Sequence, residues 1–349
     1  MSDPTSPSPS GQPFEQVLKH SATEVASFAR DERSPLVKFR HFLHSRPSAV
    51  SLLVLLLSLS IFGALLGGKF FSAFALTLIL QQVAITGIVG AAQTLVVITA
   101  GIDLSVGAIM VLSSVVMGQF TFRYGLPVEL SILCGLAVGT LCGMANGWLI
   151  ARIKLPPFIV TLGMWQIVLA ANFLYSRNET IRAQEIGATA PLLQVFGDNF
   201  RLGGAVFTYG VIALVVLVAL LWYVLNHTAW GRHLYAVGDD PEAAALAGVN
   251  VRRMLITVYG LSGLICAFAG WVLIGRIGSV SPTAGQFANI ESITAVVIGG
   301  ISLFGALIVG VFALGLRLLG TDVQWTYLLI GTLIIAAVAI DQWIRKAAS

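Results

Sequence analysis

The chain has 349 residues, of which 57% are hydrophobic and only 10% charged, and its mean hydropathy is +0.89. A soluble domain carries about 25% charged residues, so a water-facing surface over most of the chain is excluded. The formal net charge of +4 and the pI near 9.1 reflect basic residues flanking membrane spans and call for no nucleic-acid partner.

Residues 1–48 read as a cytoplasmic tail without a signal-peptide pattern. "MSDPTSPSPSGQP" is Ser/Pro-rich and reads as disordered. Phe14, Val17, Leu18, Val25 and Phe28 then fit a helical stripe. "LVKFRHFLHSR" is basic and amphipathic, which suits lying on membrane lipid. Residues 49–343 form the transmembrane part, with apolar blocks near the bilayer-spanning length of about 20 residues. The blocks fall at about 49–67, 74–99, 106–122, 129–151, 158–175, 205–225, 255–275, 292–304, 306–320 and 326–342. The expected fold is an all-α polytopic membrane protein of about ten transmembrane helices, some short or broken. With the N-terminus inside and the crossings alternating, thirteen of the 20 Lys and Arg residues lie in the cytoplasm, as the positive-inside bias requires. Residues 344–349 are then a cytoplasmic tail.

Between the first two blocks, "GALLGGK" satisfies the opening of a phosphate-binding loop, but Phe70 stands where the magnesium-binding hydroxyl belongs and no buried strand precedes it. Asp103 and Ser105 lie in "TAGIDLSVGA", where a turn at Gly101 brings the carboxylate toward the cytoplasmic interface. Asp103 reads there as a helix cap, or alternatively as a gate or partner contact. Gly135, Gly139, Gly143 and Gly147 recur every fourth residue and place a small-residue packing face on one helix. Cys134, Cys142 and Cys266 lie inside apolar blocks and read as small packing residues.

Catalytic and metal-binding constellations are absent: no histidine shares an apolar block with a carboxylate, and no G-x-S-x-G occurs. No intramembrane pair of ionisable groups suggests a proton-coupled carrier. Neutral polar residues are more plentiful, and Gln93, Thr94, Gln166 and Asn172 are candidates for lining a solute path or for bonding helix to helix. Asp103, Ser105, Pro156, Pro157 and Glu291 are candidates for turns or gates.

Residues 226–254 form the longest internal cytoplasmic loop. Asp240 and Pro241 give a helix start, Glu242 to Ala247 are helix formers, and Gly248 is a stop. Two turns of helix are marginal alone, so a small-residue face on such a stub implies something that packs onto it.

Glu242, Ala243, Ala244 and Gly248 match E-A-A-x-x-x-G, which resembles the loop by which permeases of ABC importers engage their ATPase. "TAGIDLSVGAIMVLSS", "PPFIVTLGMW", "GRHLYAVGDDPEAAALAGV", "LSGLICAFAGWVLIGRIGS" and "ESITAVVIGGISLFG" are similar, in that order, to stretches of the ribose, xylose and fructose import permeases. The nearest likeness is to the fructose permeases of alpha-proteobacteria. The resemblance covers about residues 50–342. It implies a type II-like ABC importer architecture in the bacterial inner membrane, a homodimeric pore, a separate ATPase subunit that uses the ATP, and a periplasmic sugar-binding protein. It implies no enzyme activity and no cofactor in this chain. Arg232, Glu242, Ala243, Ala244 and Gly248 would form the ATPase contact, with the alanines keeping the docking face smooth. Arg232, Arg252 and Arg253 would pair with ATPase acids or with anionic lipid. The outer segments 176–204 and 277–290 would meet the binding protein. Monosaccharide import is the expected function, fructose first, with ribose, xylose or mannose possible. An importer of nucleosides or branched-chain amino acids is the alternative, and a proton-coupled carrier a weaker one. One departure stands out: Gly305 runs straight into "ALIVGVFALGLRLLG", as if about eleven residues of the family pattern were missing, so a tight hairpin or re-entrant pair is expected at Phe304–Gly305.

Overall fold

A computed structural model describes residues 47–345, apart from 203, 286 and 300–303. The features expected before residue 47 and at the extreme C-terminus lie outside the described residues. Helices α1 (Pro47–Leu66), α2 (Ala73–Ile98), α3 (Val106–Tyr124), α4 (Val128–Trp148) and α5 (Pro157–Ser176) come first. Then follow α6 (Ala183–Thr189), a 3-10 turn at Pro191–Gly197, and strands β1 (Asn199–Leu202) and β2 (Ala205–Thr208). After α7 (Tyr209–His227) come the short helices α8 (Ala229–Asp239) and α9 (Pro241–Leu246), and then the long α10 (Val251–Ile277). Helices α11 (Ala288–Gly299), α12 (Phe304–Leu318) and α13 (Val323–Arg345) close the chain. Among the described residues, seven helices are long and apolar enough to cross a membrane, with three shorter apolar helices in the last third.

The expectation of an all-α chain needs one correction. Strands β1 and β2 pair antiparallel, with Asn199 opposite Thr208 and Leu202 opposite Ala205. Two four-residue runs around Gly203–Gly204 can close such a hairpin because glycine adopts the positive φ a tight turn needs, and Gly204 has φ +83°. The hairpin is tied to the bundle by the Val206 N–H, which donates to Thr77 Oγ1 at 2.8 Å.

Helix α10 is the axis of the fold. It packs along α4 and also against α3, α2 and the Pro191–Gly197 turn. All four glycines of the α4 stripe are buried. A Cβ added at Gly139 would sit 2.6 Å from Ala267 Cβ and 2.8 Å from the Gly263 carbonyl, and one added at Gly143 would strike the Tyr259 carbonyl. The stripe therefore brings α4 and α10 together backbone on backbone, the close approach that small residues permit in lipid, where burial against another helix gains little over lipid itself.

Helix α2 separates this group from a second one made of α1, α11, α12 and α13. Along α2, Gln82 meets Glu291 and Gly90 faces Val296, so α11 runs parallel to α2. Gly310 of α12 faces Ile79 and Val83, and Ala306 shares a cavity with Gly87 and Gly90, so α12 runs back the opposite way. This is the re-entrant pair the apolar run at 292–320 implied, with its turn displaced. Phe304 and Gly305 are helical, within α12. Gly305 cannot turn the chain because it is a packing residue: a Cβ there would strike the Ala295 carbonyl across the pair. Ser51 Oγ of α1 donates to the Ile298 carbonyl at 2.8 Å, securing the tip of α11. Cys134, Cys142 and Cys266 are free, and Cys266 is fully buried.

Candidate coupling stub and transport path

The stub is built from local chemistry at both ends. Asp240 has an extended backbone, and its Oδ1 accepts the N–H groups of Glu242 at 2.9 Å and Ala243 at 3.0 Å. Pro241 fills the first helical position, where a missing N–H costs nothing. At the other end Gly248 has φ +88°. Its N–H donates to the Ala245 carbonyl and that of Val249 to the Ala244 carbonyl, both at 3.0 Å. That pattern closes a helix with a left-handed glycine. The stub hangs beside an eleven-residue amphipathic helix, α8, which the sequence reading did not single out. Leu234 and Val237 of α8 are buried, and Gly238 sits so close to α2 that a Cβ would strike the Ile98 carbonyl. Trp230 Nε1 donates to Thr257 Oγ1 at 3.2 Å and fastens α8 to the start of α10.

Arg232, Glu242, Ala243 and Gly248 are exposed on this assembly, as are Arg252 and Arg253 at the start of α10. Ala244 is not: it faces inward, 4% exposed, and joins the core. The expectation that Ala243 and Ala244 together form a smooth docking face is therefore corrected. One of the two holds the stub onto the body, because a face three to four residues wide must be used to attach so short a helix. The outward face instead carries Leu246, 91% exposed. Sequence reasoning missed it, since a leucine in an apolar chain reads as core. Its place at the stub's end, beside a stop glycine, was the available signal.

Asp103 lies in the loop between α2 and α3 and is buried. Its Oδ1 accepts the Ser105 N–H at 2.8 Å and the Ser105 hydroxyl at 2.6 Å, while Asn146 Nδ2 of α4 donates to that same hydroxyl at 2.9 Å. Burial pushes the Asp103 carboxyl above its ordinary range, and the two Ser105 bonds pull it back. The carboxylate does not cap α3 itself. It holds Ser105, the residue before the helix, and so ties the loop to α4. Pro156 and Pro157 open α5, and Thr161 Oγ1 there donates to the Ile102 carbonyl at 3.1 Å, linking the two loops.

The four candidate path residues do not converge. Gln93 is buried within α2, Thr94 lines an apolar cavity of ≈ 170 Å³ with Leu221 and Val296, and Gln166 is exposed on α5. Asn172 Nδ2 donates to the Pro282 carbonyl at 2.8 Å and so braces the loop after α10. The structure gathers a different set. Arg276 Nη2, at the far end of α10 from the stub, donates to Gln82 Oε1 at 2.6 Å. Gln82 Nε2 donates onward to Glu291 Oε2 at 3.1 Å, and Thr86 Oγ1 reaches the same oxygen at 3.4 Å. Arg276 in the last turn of α10 and Glu291 in the first turn of α11 are thus joined through one amide. Arg276 and Glu291 were read as loop residues outside the blocks, whereas α10 and α11 extend far enough to carry both inward. Gln82 was visible as a polar residue in an apolar helix, but its partners lie 194 and 209 residues away. Among the described residues no group of three or more His, Cys, Asp or Glu side chains is placed to hold a metal ion.

Comparison with known proteins agrees with this architecture. Residues 75–338 match the family model described as the branched-chain amino acid transport system / permease component. A fructose import permease protein of Rhizobium meliloti is 75% identical over 97% of both chains. A ribose import permease protein of Bacillus subtilis is 35% identical, covering 80% of this chain and 88% of its own. A galactose/methyl galactoside import permease protein of Escherichia coli is 33% identical over 78% of this chain and 87% of its own. No solved structure matches the chain. An apolar body of long helices, a capped stub between two of them and a family match over three quarters of the sequence lead to one conclusion: the chain belongs to the permease-component family of the branched-chain amino acid transport system type.

Proposed function

We propose that the chain is the membrane pore subunit of an ATP-driven importer that carries a monosaccharide, fructose first among them, across the bacterial inner membrane. The observation that carries this reading is the 75% identity, over almost the full length, to a fructose import permease protein. The ribose and galactose permeases among its relatives support the monosaccharide class. The chain is a transport subunit and performs no covalent chemistry. A separate cytoplasmic ATPase uses the ATP, and a binding protein delivers the sugar.

Two copies of the chain would form the pore, each contributing about ten membrane helices in a type II-like arrangement, the short α11 and α12 among them forming a re-entrant pair. Helix α9 is the socket for the ATPase. Asp240 and Gly248 hold its shape, Ala244 holds it to the body, and Glu242, Ala243 and Leu246 face the partner. Closure of the ATPase pair would press on α9 and, through α8 and α10, alternate the access of the pore. Arg232, Arg252 and Arg253 would add charge complementarity to the ATPase or to anionic lipid. The proton-carrier reading finds no support among the relatives, which are import permease proteins for fructose, ribose and galactose/methyl galactoside.

Proteoliposomes holding the chain with its ATPase and binding protein test this reading. Accumulation of fructose that requires ATP and the binding protein is the expected result. Accumulation driven by a proton gradient without ATP would overturn it.

A further inference from the structure

The Gln82–Arg276–Glu291 cluster lines a cavity of ≈ 330 Å³ between α2, α10 and α11, with Thr283, Gly285 and Phe287 also in its wall. Its volume lies at the small end of small-molecule pockets, which run from about 300 to 1,000 Å³. Its chemistry is specific. The Gln82 amide accepts from a guanidinium on one side and donates to a carboxylate on the other. A vicinal diol carries the same complement, since one hydroxyl can accept from Arg276 while its neighbour donates to Glu291. The bridging amide therefore stands where a polyhydroxylated solute would bond equally well.

We infer that this cavity is a transit site for the sugar, in which a diol replaces the Gln82 side chain between Arg276 and Glu291. The inference rests on the monosaccharide reading above. A neutral bridge also explains why both charges can persist inside an apolar body: each keeps a hydrogen-bonded partner with Gln82 in place, and would keep one with sugar in place. Exchange of one hydrogen-bonded bridge for another leaves a nearly flat energy profile. That suits a site a solute must leave as readily as it enters. The competing ligand is an amino-acid zwitterion, whose carboxylate and ammonium would pair with Arg276 and Glu291 directly.

The full chain with its ATPase in lipid nanodiscs, without the binding protein, is the sample, and fructose and leucine are the probes. Saturation-transfer NMR is expected to detect fructose, not leucine, with the fructose signal falling about tenfold in Glu291→Gln, because a hydrogen bond to a charged group is lost. An independent readout needs no change to the cluster: a cysteine introduced as Thr283→Cys, exposed at the cavity rim, is expected to react more slowly with a maleimide when fructose is present. Transfer to leucine in place of fructose would overturn the inference. So would fructose signals equal in the two chains, or labelling of the rim cysteine unchanged by sugar. Failure of the complete wild-type system to accumulate sugar with ATP would instead refute the import function itself.

Discussion

Leu246→Ala is the perturbation that separates a docking stub from a merely structural turn. Leu246 is 91% exposed, so nearly all of its apolar surface remains to be covered by a partner. Full burial of a leucine side chain contributes about 1.5–3 kcal/mol. Truncation to alanine removes most of that contact, and a loss of about 2 kcal/mol corresponds to roughly 30-fold weaker binding. The same exposure means that the variant loses almost no packing within its own chain, so its thermal stability should match that of the parent. The assay is titration of the purified ATPase subunit onto the chain in nanodiscs, read by interferometry, with Leu246→Met as the control that keeps apolar area. A dissociation constant within about twofold of the parent, with stability also unchanged, would refute the assignment of this face to the ATPase.

Four further outcomes follow from the stub and the helix pairing. Asp240→Ala removes the acceptor for two N–H groups and should cost the stub about 1 kcal/mol, lowering ATPase affinity, whereas Asp240→Asn should restore it; titration on the same nanodiscs checks both. Gly143→Leu forces a side chain into the Tyr259 carbonyl and should destabilise the fold by at least about 1–3 kcal/mol, seen as a lower melting temperature. Gly248→Ala meets no atom within 4 Å and should cost only the left-handed backbone penalty of about 1–2 kcal/mol, confined to the stub. A reporter fused after Ser349 should read as cytoplasmic, because α11 and α12 return the chain to its starting side before α13 crosses; a periplasmic signal would refute the hairpin.

What the sequence revealed was whatever local chemistry decides. The stub from Asp240 to Gly248 was legible because a cap, a proline and a left-handed glycine act within a few residues of one another. The α4 stripe was legible because a period of four is a helical face whatever it meets. What faces what was not legible. Ala243 and Ala244 are identical in sequence terms, and only the seating of α9 against the body buries one and exposes the other. The apolar run at 292–320 suggested a turn at Phe304–Gly305, and only packing shows Gly305 to be a helical contact against the Ala295 carbonyl. Arg276 and Glu291 looked like loop residues because apolar blocks end before them, yet helices continue past the apolar run wherever a partner such as Gln82 satisfies the charge.

Most polar side chains in the spans are spoken for by their own helix. The hydroxyls of Thr94, Ser114, Thr121, Thr140 and Thr294 each bond a carbonyl three or four residues earlier, a local arrangement that does not link one helix to another. Others reach between elements, among them Ser51 to Ile298, Asn172 to Pro282, and the clusters Asp103–Ser105–Asn146 and Gln82–Arg276–Glu291. Asn146 lies between Gly143 and Gly147, which meet Tyr259 and Ile256 of α10, so the rise from that level to Arg276 is roughly 25–30 Å at 1.5 Å per residue. The difference between local and cross-element bonds is measurable. Ser105→Ala removes the hydroxyl between a buried carboxylate and the Asn146 amide, orphaning one and weakening the hold on the other, and should destabilise the chain by about 1–3 kcal/mol. Thr140→Val removes a hydroxyl bonded only to its own helix and should shift stability by no more than about 0.5 kcal/mol. Equal melting temperatures for the two variants in the same detergent would mean that the cluster at Asp103 ties nothing together.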